Sequence, residues 1–297
     1  MRYKLAYLLF IPIHVLILSV FLQCKTRSVV NNDNSDGLQI TQYIQRGTDD
    51  DNTIDDDEYD IIVSEDIQLD SILIELIPAP LDDRSEQLLV RSAYVLSYNK
   101  DWKLPNWVAW HLTAEHADGE APRSNNFRED TDVPAPRATP ADYKGSGWSR
   151  GHMCPSGDNK WSQTANDETF IMTNICPQDA SHNSGIWNSI EMDCRKWAKK
   201  YGDIFIVCGP LPLRGEYETI GPNKVAVPKA FFKVILCLNG KPKGFGFVTK
   251  NNPGQKKNDL YYNSISEVER LTGIDFFTLL PDSIQEYVEA NADINEW

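Results

Sequence analysis

Gly147-Trp148-Ser149-Arg150-Gly151-His152-Met153-Cys154-Pro155-Ser156 is the stretch on which the reading of this chain turns. An arginine and a histidine flank one glycine at the end of a long loop. Alternate side chains of an extended backbone share a side, so Arg150 and His152 point the same way. A permanent cation and a potential base then occupy one surface. Downstream lie Thr173-Asn174-Ile175-Cys176-Pro177-Gln178 and His182-Asn183-Ser184-Gly185-Ile186-Trp187, followed by Glu191 and Arg195. Asn183, Trp187, Glu191 and Arg195 are spaced by four. On a helix each such step turns the face by only about 40°, so Asn183 and Glu191 look into one cleft. Asn183 stands where the helix is predicted to begin, and Asn is a favoured N-cap.

These residue types suit phosphodiester hydrolysis. The reaction needs a base for water, a cation on the phosphate and charge neutralisation as the leaving oxygen departs. His152 serves as the base and Arg150 as the cation. An amide oxygen from Asn183, completed by waters, suits a hard ion such as Mg²⁺. Glu191 then holds a water of that ion.

Outward from this block, segments 92–98 and 107–112 are predicted as two early strands, separated by a polar loop holding Pro105. A Pro-, Gly- and Asp-rich loop fills 117–147. Further strands are predicted at 203–208, 231–238 and 245–249, rich in Val, Ile and Phe. Ile186, Ile190, Cys194, Trp197, Ala198 and Tyr201 recur at spacings of three and four, one apolar face of a helix. Ser264-Ile265-Ser266-Glu267 is a capping box, and Gly273 stops the helix that follows. Strands and helices do not alternate regularly, which favours α+β over a doubly wound sheet.

The three blocks S-R-G-H-M-C-P-S-G-D-N, M-T-N-I-C-P-Q and H-N-S-G-I-W-N-S-I-E-M-D-C-R together resemble the DNA/RNA non-specific endonucleases. These are the sugar-non-specific ββα-metal (His-Me finger) nucleases, including the endonuclease G type and secreted bacterial nucleases. The resemblance spans about residues 92–280 and continues in 207–210, 228–234 and 271–277. The order of the blocks carries it, with 31 residues from His152 to Asn183 and eight from Asn183 to Glu191. It implies a mixed, mostly antiparallel sheet flanked by helices. It implies metal-dependent cleavage of DNA and RNA with little sequence preference, using Mg²⁺ or Mn²⁺. By resemblance His152 is the general base, Asn183 the sole direct protein ligand of the metal, and Glu191 the residue that orients metal-bound water. Arg150 and Arg195 contact phosphate or the transition state, and Asn174 supports the site. Arg123 corresponds to a further family arginine, with Arg128 as the competitor. One position departs: the family usually has Asp before R-G-H, and this chain has Ser149. That departure predicts slower catalysis or altered metal preference. Two rivals follow: a nucleic-acid-binding or surface-interaction protein with an impaired site, and a phosphodiesterase for small diesters.

The chain's 297 residues carry a net charge of −14, but unevenly. Residues 31–86 hold −15 and residues 87–297 only −3, so the acidity does not argue against a nucleic-acid substrate for the domain. Lys196, Lys199, Lys200, Lys224, Lys229, Lys233, Lys241, Lys243, Lys256 and Lys257 are read singly as solvated surface, some of them tracking phosphate. His111 and His116 read as structural, and Trp187 and Trp197 as core or cleft wall. Residues 1–24 pair a basic start with an apolar run, as a secretory signal or anchor does. Cys24 directly after it suggests a lipidated first residue, hence membrane attachment and a periplasmic or cell-surface location. Residues 25–81 read as an acidic, largely disordered tether, with 61–80 open as a short strand or helix on the domain. Residues 82–297 form the nuclease domain. The five cysteines after Cys24 have no zinc spacing and read mostly as small core residues.

Overall fold

The computed structural model describes residues 76–254 and 262–297, plus the backbone of two short paired strands at 27–28 and 42–43. Cys24, the leader and most of the tether lie outside the described residues. The chain divides into two units, Met1–Ile61 and Ile62–Trp297. The short ladder belongs to the first, and everything below concerns the second.

In chain order the second unit contains β1 (Gln87–Val90), β2 (Val95–Asn99), β3 (Leu104–Thr113), α1 (Ala114–Asp118), α2 (Pro140–Tyr143), β4 (Ser149–His152), α3 (Gln163–Glu168) and β5 (Ile175–Gln178). A helix then begins with Ala180–His182, passes through the π-turn Asn183–Trp187 and continues as α4 (Asn188–Tyr201). After it come β6 (Asp203–Pro210), β7 (Thr219–Ile220), β8 (Val225–Ala226), β9 (Ala230–Cys237), β10 (Lys243–Lys250), β11 (Tyr262–Asn263), α5 (Ile265–Thr272) and α6 (Asp282–Ala290).

Seven strands form one sheet in the order β11-β10-β9-β6-β3-β2-β1, and every pairing in it is antiparallel. The central strands are buried on both faces, which is why β9 reads as an almost unbroken apolar run. On one face α4 covers Val108, Trp110, Ile206, Cys208, Phe231 and Ile235. On the other, Ile265, Val268 and Phe276 lie buried with Phe232 and Val234. α5 starts at Ser264, whose side chain accepts from Glu267 N, and ends at Gly273 in the left-handed conformation, as its sequence predicts.

Three local expectations are corrected. Pro105 is not in a loop but inside β3, where the register shifts between Ser97 and Tyr98. Asn106 is the extra residue of that bulge, and a bulge is where a sheet tolerates proline. Its amide donates to Ser97 Oγ and to Ser85 O, both at 2.9 Å, which pins the bulge in place. The packed chain also begins ahead of residue 82: Leu76, Ile77 and Leu81 are buried, and Ala79 N donates to Asp275 O at 2.9 Å. The helix that carries Asn183 starts three residues earlier than expected. Its N-cap is Asp179, whose carboxylate accepts from Ser181 N and His182 N. An Asp cap satisfies two orphan donors and opposes the helix dipole, which leaves the Asn183 side chain free.

Candidate active site

β4 and β5 form a separate two-stranded ribbon in which Gly151 faces Cys176 and His152 faces Ile175. The helix carrying Asn183 follows after a single residue, Asp179. Gly151 is required by close approach: a Cβ there would lie 2.0 Å from Gln178 Oε1. The glycine between arginine and histidine therefore lets the buried Gln178 side chain cross the back of the ribbon. Arg150 and His152 share the front, as alternation predicts, because both rest on Phe127. Ser149 alternates to the back with Gly151.

Phe127 and Phe170 meet edge to face with centroids 4.9 Å apart. His152 packs against both, at 5.4 Å and 4.8 Å. The Arg150 guanidinium lies 4.0 Å from the Phe127 ring centre and that of Arg123 lies 4.9 Å from Phe170. Two aromatic faces thus hold two cations on either side of one imidazole. Arg123 is fixed further by donating from Nε to Asn125 Oδ1 at 2.9 Å. Its competitor Arg128 instead donates to Asp167 O at 2.8 Å, near the end of α3. The structure thus brings Arg123, and not Arg128, to His152.

His152 is buried, and its Nε2 has no hydrogen-bond partner among the described residues. The sealed Nε2 leaves Nδ1 as the nitrogen available to water. Burial first, then the charges of Arg123 and Arg150, press its pKa down to about 3, so the imidazole is neutral. Its carbonyl accepts from Trp187 Nε1 at 3.1 Å, which ties the ribbon to the helix.

The π-turn matters for aim. Eight α-helical steps leave Asn183 and Glu191 about 80° apart around the axis. Wider turns advance each residue by a smaller angle, which brings the two nearer one face. Among the described residues neither the Asn183 amide nor the Glu191 carboxylate makes a hydrogen bond. The donor set therefore fits a hard, hydrated divalent ion. Burial pushes the Glu191 pKa up to about 7 despite Lys233, with Asp158 raising it and Arg195 and Arg123 lowering it.

Arg195 donates from Nη1 to Asp158 Oδ1 at 2.7 Å, and the fully buried Asp158 also accepts from Trp110 Nε1 at 3.1 Å. The arginine keeps one-fifth of its side chain exposed. Asn174 behaves differently from a substrate contact. It is fully buried, and its amide binds Cys154 N, Cys154 O and Thr169 O at 2.8–2.9 Å. It braces the chain between His152 and Phe170, a supporting position that touches no substrate. His182 turns inward to Thr249 Oγ1 at 3.0 Å. His111 pairs with Asp203 at 3.1 Å, and His116 Nδ1 lies 3.1 Å from His111 O. Trp187 is buried and Trp197 packs at the edge of the core. All five later cysteines are buried free thiols.

Four participants were not legible as such: Phe127, Phe170, Asp158 and Lys233. Lys233 was read as a surface lysine and is fully buried. Its signal was available, since it is the only charge in the apolar run 230–237.

A two-stranded ribbon followed by a helix, with histidine on the ribbon and an unpartnered asparagine on the helix, defines the ββα-metal nuclease class. The family model for DNA/RNA non-specific endonucleases matches residues 79–283, and the chain belongs to that family. The chain is 40% identical to human mitochondrial nuclease EXOG over 202 residues, which covers 62% of this chain and 55% of that protein. It therefore spans just over half the length of that relative. It is 36% identical to a nuclease of Nostoc sp., covering 69% of this chain and 78% of the relative. A crystal structure of the EndoG/EndoGI complex, reported for the mechanism of EndoG inhibition, superposes with a TM-score of 0.64 at 31% identity. That match covers 71% of this chain and 91% of the other.

Proposed function

We propose that this protein is a metal-dependent endonuclease that hydrolyses phosphodiester bonds of DNA and RNA with little sequence preference. The observation that carries the reading is the neutral His152 imidazole between two arginines on the Phe127–Phe170 pair. His152 Nδ1 accepts the proton of the attacking water. The phosphate that would bring this water into line rests between the Arg150 and Arg123 guanidiniums. Its negative charge offsets theirs and raises the basicity of the imidazole at the moment of reaction. Arg195 reaches the same phosphate from α4 while Asp158 holds it in place. Asn183 Oδ1 is the group that would hold a divalent ion, Mg²⁺ or Mn²⁺, whose charge would neutralise the departing oxygen. Glu191 would accept hydrogen bonds from its hydration shell. Contacts of this kind read phosphate rather than base edges, which supports low sequence preference.

The test is cleavage of plasmid DNA and of RNA with Mg²⁺, Mn²⁺ or EDTA, beside His152→Ala and Asn183→Ala. Ion-dependent cutting of both polymers, lost in both variants, supports the reading. Folded wild-type protein that binds DNA without cutting it would favour the non-enzymatic rival.

The basic and apolar leader ending at Cys24 supports export with a lipid anchor. A mature chain that begins at an acylated Cys24 by mass spectrometry is the expected result. Intact Met1 in the mature protein overturns it.

A further inference from the structure

Lys233 sits in the middle of β9 and is fully buried. Lysine is almost never buried in this way unless it is paired. Yet Nζ has no oxygen or nitrogen hydrogen-bond partner among the described residues, and a weak contact with the Cys208 thiol is its polar interaction. In register it faces Cys208 on β6, which in turn faces Val108 on β3. This is the sheet face covered by α4. There Nζ lies 4.7 Å from the ring centre of Trp110 and 4.5 Å from that of Trp187. Two indole faces enclose one ammonium.

Each indole holds one limb of the site. Trp187 donates to His152 O at 3.1 Å and lies between Asn183 and Glu191 in sequence. Trp110 donates to Asp158 Oδ2 at 3.1 Å, and Asp158 Oδ1 holds Arg195 at 2.7 Å. Burial opposes the charge on Lys233, but negative charge at Cys208, Cys194, Glu191 and Asp158 favours it and holds it above the usual lysine range; burial keeps the two thiols protonated at neutral pH. The nearby acids that face it are therefore the two that belong to the site.

Building on the nuclease reading, we propose that Lys233 is a positioning residue for phosphodiester cleavage. Its caged ammonium is the fixed counter-charge behind Glu191 and Asp158. Through the Trp110 and Trp187 rings it also sets the relative placement of the Arg195 limb and the His152 limb. Lys233 itself touches no substrate. A sheet that only needed to pack would place an aliphatic residue here, because burying an ammonium costs its desolvation and an aliphatic side chain carries no such cost.

The test uses the full chain with Lys233→Met and Lys233→Arg, measuring kcat, KM and thermal unfolding on DNA at saturating Mg²⁺. For Lys233→Met we expect a folded protein with a lowered Tm, because the buried acids lose their counter-charge, together with an unchanged KM and a kcat lower by about 10–100-fold, the range for residues that orient a site without touching the reacting atoms. Lys233→Arg keeps the charge and is expected to recover part of kcat. On a Glu191→Gln background the Lys233→Met loss should shrink, because the counter-charge then has less to act on. Wild-type kcat in a folded Lys233→Met variant, or losses that add in full with Glu191→Gln, would overturn the proposal. Should Lys233→Met fail to fold, Lys233→Gln carries the same cycle with the same two outcomes. Wild-type activity is read first. Absence of cleavage in the unsubstituted chain sinks the nuclease reading, whereas cleavage unaffected at position 233 sinks only this inference.

Discussion

His152 shows how one side chain is made fit for its task by what surrounds it. Burial against an aromatic wall and two arginines keep it neutral, so in the proposed reaction it begins able to accept a proton. His152→Ala is expected to lower the cleavage rate by about 10²–10⁴-fold, the usual worth of a general base. Cleavage within a few-fold of wild type would show that another group takes the proton. Glu191 must be ionised to attract a cation or its hydration water, and burial sets its pKa at about 7. In the proposed mechanism protons and the divalent ion therefore compete for it. At limiting Mg²⁺ the rate should fall as pH drops below about 7, and that limb should move to lower pH as Mg²⁺ is raised. A limb that ignores ion concentration would assign the titration elsewhere. Ser149 lies on the back of the ribbon, away from Arg150 and His152. Contrary to the slower catalysis expected from its departure in sequence, Ser149→Asp should leave kcat within about threefold of wild type, because alternation puts Ser149 on the face opposite Arg150 and His152. A large gain would show that an acid at this position reaches the site after all.

The ribbon of β4 and β5 is the element that delivers Arg150 and His152, and its geometry depends on the absence of a side chain at 151. Gly151→Ala would place a methyl group 2.0 Å from Gln178 Oε1. Overpacking of this kind costs about 1–3 kcal/mol. Loss of activity should accompany loss of stability, since His152 is the next residue. Gln178→Ala removes the obstacle, so the double variant should be more stable than Gly151→Ala alone in urea denaturation. Additive losses would place the strain elsewhere. The helix carrying Asn183 is shaped by its start: the Asp179 cap begins it early, and the π-turn then adjusts the aim of Asn183 relative to Glu191.

Across the whole molecule, the seven-stranded sheet separates two kinds of burial. One face supports α4 and the site. The other is closed by α5 and α6, near which Glu269, Asp275 and Glu289 gather. Burial, with Glu289 and Asp275 adding to it, pushes the Glu269 pKa up to about 7 although its carboxylate accepts from Phe276 N at 2.9 Å. An acid whose folded pKa is raised releases its proton more readily when unfolded. It therefore subtracts stability as pH rises from about 4.5 through 7. Glu269→Gln keeps an acceptor for Phe276 N and removes that effect. The variant should match wild type near pH 4.5 and exceed it at pH 8 by about 1–2 kcal/mol, a figure reduced for partial solvent screening. A difference independent of pH would refute the assignment. Activity should be unchanged, because this cluster is on neither the ribbon nor α4.

The sequence by itself marked the candidate chemistry-bearing residues and the order of the main strands and helices. Arg150 and His152 were legible because a strand alternates, and Asn183 and Glu191 because a helix repeats. The apolar runs at β6, β9 and β10 and the cap at Ser264 were legible because strand and cap preferences act over a few neighbouring residues. The tertiary structure decided what depends on distant partners. It chose Arg123 over Arg128, since only folding shows which arginine reaches Phe170 and which is spent on Asp167 O. It also moved Pro105 into a bulge and gave Asn174 its bracing partners, Cys154 and Thr169. Lys233 is the clearest case. A lysine's local sequence states its charge but not its depth, and its depth is set by strand partners and indoles 14–123 residues away in the chain. Local physics fixes which groups are present, whereas burial and charge pairing, which tune those groups, exist only once the sheet has closed over them.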